Sequence, residues 1–489
     1  MKTFEAAFDS LYTHDYPAWF RDAKLGIWSH WGPQSVPMCG DWYARNMYIQ
    51  GTPQYLYHLR HYGHPSQFGY KDICALWKAE RFDPDALMDR YVKAGARYFV
   101  AQATHHDHFF NYDSALNPMN SVRVGPKKDI VGLWKAAAEK RGLPFGVSEH
   151  LGASFSWWRV NKGCDAWGPY RGVPYDGCDP AWRDFYHDNG EHAGPDAIGR
   201  LEPWYTDNPR FKRYWQQCML ELIDRYTPDL LYTDGSLPFG DHWQEEKAAF
   251  TLDGRYREGL EAVAHLYNAS IARYGENRAV YTQKCRDAGV YRVGVLDIER
   301  GMLDQASEYP WQTDTCIGGW FYDAKAAYKK PREIIDILLD VAAKNGCMLL
   351  NILQRPDGSI DEETGYILDE MAAWYAVHGE ALYGSRPWKR VGEGRTQLAF
   401  RDFREDAAQW QEDDVRYVCR DKTVFAFLMG ARPGRAAVLR SFDEGEQVRA
   451  VRLLGVGSVP FAHQYGVLTV QLPPQLPTEY APCLAVELG

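Results

Sequence analysis

The sequence predicts an α/β chain: a (β/α)8-like barrel over residues 1–388, followed by an antiparallel β-sandwich over residues 389–489. Three observations predict it. From about residue 85, short apolar runs alternate with amphipathic helical patterns, as parallel strands joined by crossover helices require. That alternation runs long enough to favour a barrel over a doubly wound open sheet. After "HGEALYGSRPW" the helical period disappears, and short β-runs separated by turns take over.

The elements follow in order. "KLGIWSHWG" near the start reads as a strand. "PDALMDRYVKAGA" is an amphipathic helix ending at a glycine, and "RYFVAQA" is the buried strand after it. "DIVGLWKAAAEKRG" is a helix closed by Gly142, and "PFGVSEH" a strand. "RFKRYWQQCMLELIDRY" is a long helix leading into the strand "PDLLYTDG". "GLEAVAHLYNASIARYG" and "RAVYTQK" form the next helix and strand, and "VGVLDIERG" reads as one more strand. "PREIIDILLDVAAKNG" is a helix capped by Gly346, ahead of the strand "CMLLNI". In the second region "VRYVCR", "TVFAFLMG", "AAVLRSF", "VRAVRLLG", "GVLTVQLP" and "CLAVEL" read as strands. "RDFREDAAQWQEDD" is a polar segment near the junction.

The 489 residues are 45% apolar and 25% charged, the values of an ordinary globular protein. Aromatics reach 15%, with 18 Trp and 32 Tyr. Flat apolar faces with polar edges suit sugar rings, although they also fill cores. A net charge of −10 argues against nucleic acid or an anionic membrane as partner. No apolar run is long enough to span a bilayer. The start carries no apolar stretch of signal-peptide type, so a cytoplasmic location is expected unless a leader has been removed. The ten cysteines form no C-x-x-C pair and read as buried free thiols.

In a (β/α) barrel the working residues stand where strands end on the carboxyl side. That rule gathers His30 and Trp31, His105 and His106, Glu149 and His150, Asp234, and Glu299 at one rim. Asp234 follows an apolar strand and precedes a glycine, which suits a nucleophile projecting into a cleft; a loop-capping aspartate is the plain alternative. Asp229, at the other end of that strand, should lie at the opposite face. Glu299 is the acid/base candidate, with Asp297 alternating beside it. An ion pair with Arg300 is its structural alternative, and Glu149, Asp304 and Glu308 are rivals. Adjacent His105 and His106 face opposite ways unless the strand has ended. A metal site would need three convergent ligands, usually with a carboxylate, whereas reading sugar hydroxyls needs only imidazole's one donor and one acceptor. His58, His61 and His64 in "YHLRHYGH" are expected at a solvated helix end.

These residues carry a pattern. "WFRDAKLGIWSHWGPQSVPMCGDWYARNMY", "ATHHDHFFNYDS", "PDLLYTDG", "NGCMLLNILQRPDGSI" and "GEALYGSRPW" run in order from about residue 19 to 388, and they resemble the blocks of α-L-fucosidases of glycoside hydrolase family 29. The resemblance implies retaining hydrolysis of α-L-fucosides with no metal or other cofactor. A fucosylated oligosaccharide or glycoconjugate is the implied partner, and a homo-oligomer is not excluded. It assigns Asp234 as nucleophile and His30, Trp42, His105 and His106 to the sugar, leaving His108 outside the direct contacts. It makes Trp311 a wall for the fucose methyl group.

The chain departs from the family at several points. Asp41 stands where Glu is frequent, and Gln312 where Glu often follows the tryptophan. His150 stands where an aromatic is frequent. "VYTQKCR" stands where an arginine is common, so Lys284 or Arg286 is expected against the ring or the nucleophile. "LDIERG", shortly upstream of "PWQ", favours Glu299 as acid/base. Three alternatives stay open: an α-L-galactosidase, whose substrate differs by one hydroxyl; a non-catalytic carbohydrate-binding relative; and a metal-dependent hydrolase using the histidines.

Overall fold

The structure is a computed structural model that describes residues 3–190, 204–240, 256–396, 398, 400–401, 404–405 and 407–489. Eight parallel strands close into a barrel in sequence order. They are β1 (Leu25–Ser29), β2 (Tyr98–Gln102), β3 (Phe145–Glu149), β4 (Leu230–Thr233), β5 (Val280–Gln283), β6 (Val295–Asp297), β7 (Trp311–Cys316) and β8 (Gly346–Asn351). The sequence reading places no strand at β7.

The helices begin and end where side chains satisfy their free backbone groups. Asp83 accepts from Ala86 N ahead of helix Pro84–Lys93, and Asp129 accepts from Gly132 N ahead of Ile130–Glu139. Helix Arg257–Tyr274 stops at Gly275, whose φ of 81° lies in the left-handed region. Helix Pro331–Ala343 differs from expectation: Asn345 takes the left-handed conformation (φ 72°), and Gly346 already opens β8.

Strand alternation divides the barrel residues into two sets. Leu25, Ile27, Phe99, Val147, Leu231, Tyr281, Trp311 and Leu350 face outward into the helix layer. Trp28, Tyr98, Val100, Leu230, Tyr232, Val280, Val295 and Leu349 fill the interior. Gly26 is required there, because a Cβ at that position would lie 2.2 Å from the Tyr98 ring. The interior also holds polar groups. Tyr98 donates to Gln312 Oε1 (2.8 Å), Gln312 donates to Asp297 Oδ1 (2.8 Å), and Tyr232 donates to Asp314 Oδ2 (2.9 Å).

Beyond helix Glu362–Leu382 come β9 (Arg386–Glu393), β10 (Phe400–Arg401), β11 (Arg404–Glu405), β12 (Val415–Arg420), β13 (Thr423–Leu428), β14 (Ala436–Leu439), β15 (Val448–Leu453), β16 (Gly457–Ser458), β17 (Phe461–Gln464), β18 (Val467–Gln471) and β19 (Cys483–Leu488). Six make an antiparallel sheet in the order β16-β15-β19-β13-β12-β9, three make a second in the order β14-β18-β17, and β10 and β11 pair as a hairpin. Period-two alternation explains how the larger sheet binds on both faces. Val424, Ala426, Leu484 and Val486 meet Leu439, Leu468 and Val470 of the smaller sheet. Phe425, Phe427, Cys483 and Ala485 turn the other way and join the barrel's helix layer, where the Phe427 and Trp374 rings lie 6.0 Å apart. Arg416 donates to Asp340 of helix Pro331–Ala343 at 2.6 Å, and both are buried. Removing one partner of such a pair typically costs about 3–5 kcal/mol.

Among the described residues no helix is long and apolar enough to cross a membrane. All ten cysteines are free, and six of them are buried.

Candidate active site

The carboxyl ends of the barrel strands surround a cavity of about 290 Å³, at the lower end of the roughly 300–1,000 Å³ usual for small-ligand sites. Each strand delivers its residues by a local backbone device. The His30 N–H bonds Asn351 Oδ1 just past β1 (3.0 Å). Past β2, Ala103 N (2.8 Å) and Thr104 N (3.4 Å) both reach Ser148 O, a break in the ladder just ahead of His105 and His106. The Asp234 N–H binds Glu149 O (3.1 Å), and the Lys284 N–H binds Gly235 O (2.6 Å). Ile298 and Arg300 bond the backbone of Gln312 and Asp314, which brings Glu299 to the same rim. Asp41 and Trp42 come from the loop after β1, where Trp42 holds a left-handed φ of 58°. Such a conformation costs roughly 1–3 kcal/mol and is characteristic of functional sites.

A cation ties the carboxylates together. Lys284 Nζ lies 2.7 Å from Asp234 Oδ1, hydrogen-bonds Glu299 Oε2, and sits 3.8 Å from Asp314 Oδ2. Burial alone would raise the Asp234 carboxyl, but the Lys284 ammonium and a hydrogen bond from His106 reverse this and hold it well below the ordinary carboxylate range. Burial also works against the Lys284 ammonium. The surrounding carboxylates of Asp234, Glu299, Asp314 and Asp297 outweigh it and keep the lysine charged. Asp41 has no ion pair among the described residues, and burial pushes its carboxyl up to about 7.

Four imidazoles also line the cavity. His106 presents Nδ1 to His150 O (2.6 Å) and Nε2 to Asp234 Oδ2 (3.2 Å), so both contacts are satisfied only when both nitrogens carry hydrogens. His105 Nδ1 accepts from the Gln34 side-chain amide (2.8 Å), which leaves Nε2 as the donor. Among the described residues His30 Nδ1 and His150 Nδ1, both buried, have no hydrogen-bond partner. Burial pushes the His30 imidazole down to about 3, and His105 and His150 well below the usual histidine value. All three are therefore neutral near pH 7, each able to donate from one nitrogen and accept at the other.

Those three histidines are also the candidate metal cluster among the described residues, with ligand atoms within 4.8 Å of one another. Zinc bonded at 2.0–2.1 Å would require donor spacings of about 3.3 Å, so ligand atoms up to 4.8 Å apart would have to close in on the ion. Hydroxyl binding fits the cluster with less rearrangement.

A family model described as Alpha-L-fucosidase matches residues 1–380. The chain belongs to the α-L-fucosidase family. Its activity is the hydrolysis of α-L-fucosides by a glycoside hydrolase. The tissue alpha-L-fucosidase of Rattus norvegicus is 27% identical over 422 residues, 83% of this chain and 79% of that protein. The Homo sapiens tissue alpha-L-fucosidase is 26% identical over 426 residues, 83% and 78% of the two chains. Among solved structures, the Thermotoga maritima alpha-fucosidase in complex with fucose shares the fold with a TM-score of 0.73 at 23% identity, over 99% of this chain and 100% of that one. An alpha-L-fucosidase of Bacteroides thetaiotaomicron does so with a TM-score of 0.65 at 16% identity, over 97% and 96%.

Within this α-L-fucosidase, the cavity gathers His30, Asp41, Trp42, His105, His106, His150, Asp234, Lys284 and Glu299. Two residues expected there lie elsewhere. Trp311 opens β7 on its outward-facing side, buried in the helix layer, with Nε1 donating to Lys344 O (2.9 Å). Strand alternation thus turns its indole away from the barrel interior, and Trp28, Trp204, Tyr232 and Trp320 supply the aromatic walls instead. Arg286 lines a separate hollow with Trp311 and Tyr309, because the chain turns away from the rim after Lys284. His58 and His64 are not solvated. His58 is buried between Tyr43 OH and Phe68 O (2.8 Å each), and His64 pairs with Asp165 (3.3 Å).

The rival carboxylates separate as well. Glu149 is buried outside the cavity, accepting from Trp215 Nε1 (3.1 Å) and Leu151 N (2.8 Å). Asp297 turns inward to Gln312, and Arg300 pairs with Glu405 rather than with Glu299. Asp304 lines the hollow that holds Arg286, and Glu308 is not among the cavity residues. His108 points to Phe185 O and Tyr214 OH, 2.8 Å from each. Asp229 lies at the opposite face, in a larger hollow of about 940 Å³. That hollow is a solvated charged surface: Arg273 pairs with Glu139 and Arg278 with Glu276, 3.1 Å in each case.

Asp314 was missed, although period two would have placed it on one face with Gln312 had "WQTDTC" been read as a strand. For Trp320 the sequence offered no signal beyond the indole itself.

Proposed function

We propose that the chain is a retaining exo-α-L-fucosidase that works through a covalent fucosyl-enzyme, with Asp234 as nucleophile and Glu299 as acid/base. One observation carries this reading: a single ammonium, Lys284 Nζ, hydrogen-bonds both carboxylates across the cavity. The bonded oxygens can then be separated by no more than two hydrogen-bond lengths, about 6 Å. A retaining pair lies about 5–5.5 Å apart, and an inverting pair about 6.5–9.5 Å apart, to admit a water.

The proposed steps are these. Asp234, kept ionised by Lys284, attacks the anomeric carbon as Glu299 transfers its proton to the glycosidic oxygen and the C–O bond breaks. Glu299, now a carboxylate, takes a proton from water. The water oxygen attacks the anomeric carbon, Asp234 departs, and fucose is released with retained configuration. The neutral imidazoles of His30, His105 and His150 hydrogen-bond the ring hydroxyls, and the indoles of Trp28, Trp42, Trp204 and Trp320 cover apolar faces of the sugar. The small cavity suits one terminal ring. An L-galactoside is the competing substrate, and an apolar wall rejects an added hydroxyl by only about 10²-fold.

Asp41 is favoured for the acid in a second reading, because it lines the same cavity with a carboxyl pushed up to about 7, so that a large share of it stays protonated near neutrality. The stereochemical test applies to either reading. Proton NMR of an aryl α-L-fucoside digest should show the α anomer of fucose first; the β anomer appearing first would overturn the retaining mechanism.

A further inference from the structure

The carboxylate of Glu405 is buried against the barrel although it comes from the hairpin β10–β11, in the segment joining β9 to β12 of the larger C-terminal sheet. Glu405 Oε2 lies 3.1 Å from Arg300 Nε and 2.7 Å from Lys329 Nζ, and Oε1 accepts from Thr315 Oγ1. Arg300 directly follows Glu299. Its backbone N–H is fixed on Asp314 O (2.8 Å), and its φ of 43° is left-handed, a conformation a long side chain adopts only when its surroundings impose it. Thr313 Oγ1 reaches the carbonyls of Ile298 and Gly301 (2.9 and 2.8 Å) and clamps the same turn from β7.

We propose that Glu405 is a positioning residue for proton transfer: by gripping Arg300 it fixes the turn that aims Glu299 at the leaving-group oxygen. The inference rests on the reading of Glu299 as acid/base. Its physical basis is that general-acid catalysis needs hydrogen-bond geometry, so a turn free to rotate about Arg300 would lose proton transfer before it lost sugar binding. The imidazoles proposed to read the sugar hydroxyls follow β1, β2 and β3, and none of the proposed sugar-binding side chains, Trp320 after β7 included, belongs to this turn. A charged carboxylate accepting from two cations and a hydroxyl also holds its partners more firmly than neutral hydrogen bonds would.

The test compares Glu405→Gln, Arg300→Met and Glu299→Ala on aryl fucosides graded by leaving-group pKa, with the variants' melting temperatures measured in parallel. Arg300→Met breaks the same contact from the barrel side and leaves Lys329 and Thr315 paired, so it reports if Glu405→Gln does not fold. Expected for both positioning variants is a kcat about 10-fold lower on poor leaving groups and changed less than about 2-fold on dinitrophenyl fucoside, a fraction of the 10²–10⁴-fold worth of a general acid. KM should hold. Equal losses on all substrates, or lost stability alone, with Glu299→Ala still selective for poor leaving groups, would overturn the role of Glu405 and leave the acid/base assignment standing. Absence of selectivity in Glu299→Ala would remove that assignment and this inference with it.

Discussion

Lys284 Nζ and Asp234 Oδ1 are 2.7 Å apart in a largely buried site, and that contact sets the ionisation of the proposed nucleophile. Burial and the lysine act on Asp234 in opposite directions, and the lysine wins. Replacing Lys284 by Met leaves burial opposed chiefly by the hydrogen bond from His106, so the Asp234 carboxyl should rise. Activity requires the carboxylate, so the acid limb of kcat/KM should move to higher pH by at least about one unit, the equivalent of roughly 1.4 kcal/mol. Activity at pH 5 should therefore fall further than at pH 7. An acid limb in the same place in both proteins would show that Lys284 does not control the nucleophile.

Asp234→Ala should lose turnover by several orders of magnitude while the fold persists, because the covalent route is gone. Azide, small enough to enter where the carboxylate stood, should restore turnover and give the β-fucosyl azide, of inverted configuration. Near-native activity without azide would remove Asp234 from the mechanism.

Barrel strands with apolar sequences were legible, and β7 was not. "WQTDTC" looks like a loop because Gln312 and Asp314 point into a polar barrel interior, where Tyr98, Tyr232 and Asp297 complete their hydrogen bonds. Composition cannot separate a polar strand facing polar partners from a turn. The same blind spot hid Glu405, which sits in a polar segment near the junction and whose nearest partner in sequence, Lys329, lies 76 residues away. The placement of Asp234, His105 and His106 at the cavity was legible because a strand end in a barrel has only one functional face. Trp311 misled because the residue type suited a sugar, while its place at the amino end of an outward-facing position did not.

Glu299 and Asp41 make separable predictions. Glu299→Ala should damage poor leaving groups far more than activated aryl fucosides, since a good leaving group departs without a proton. Azide should then give a product of retained configuration, because it replaces the base-activated water in the second step. Asp41→Asn should cost about the same factor on every leaving group. If the selectivity appears in Asp41→Asn and not in Glu299→Ala, the acid is Asp41.

The imidazoles need no metal to bind hydroxyls. His105→Ala should weaken fucose binding by about 1–3 kcal/mol, the cost of leaving a buried hydrogen-bonding partner unmatched, and calorimetry with fucose measures it directly. Dialysis against a chelator should leave kcat unchanged. Stoichiometric zinc by elemental analysis, together with activity lost on chelation and regained on zinc addition, would move His30, His105 and His150 to a metal site.

His30 also makes the fold sensitive to acid. Burial pushes its imidazole down to about 3, whereas the unfolded chain titrates near 6.5. Between those values the unfolded state binds the extra proton, so this group's contribution is fully present above pH 6.5 and is lost as pH falls toward 3. From pH 7 to pH 4.5 the loss amounts to about 2–3 kcal/mol from this one residue. Asp41 and Glu149, both pushed up to about 7 by burial, act with the opposite sign, so the total acid response of the native protein is a balance. The difference between native protein and His30→Asn isolates the histidine. Urea unfolding at both pH values should show the variant losing less stability on acidification, by a margin of that order. Equal losses in the two proteins would mean that His30 is already protonated in the fold near pH 5. A charged His30 would have no acceptor nitrogen to offer a sugar hydroxyl, and its proposed part in binding would fail with it.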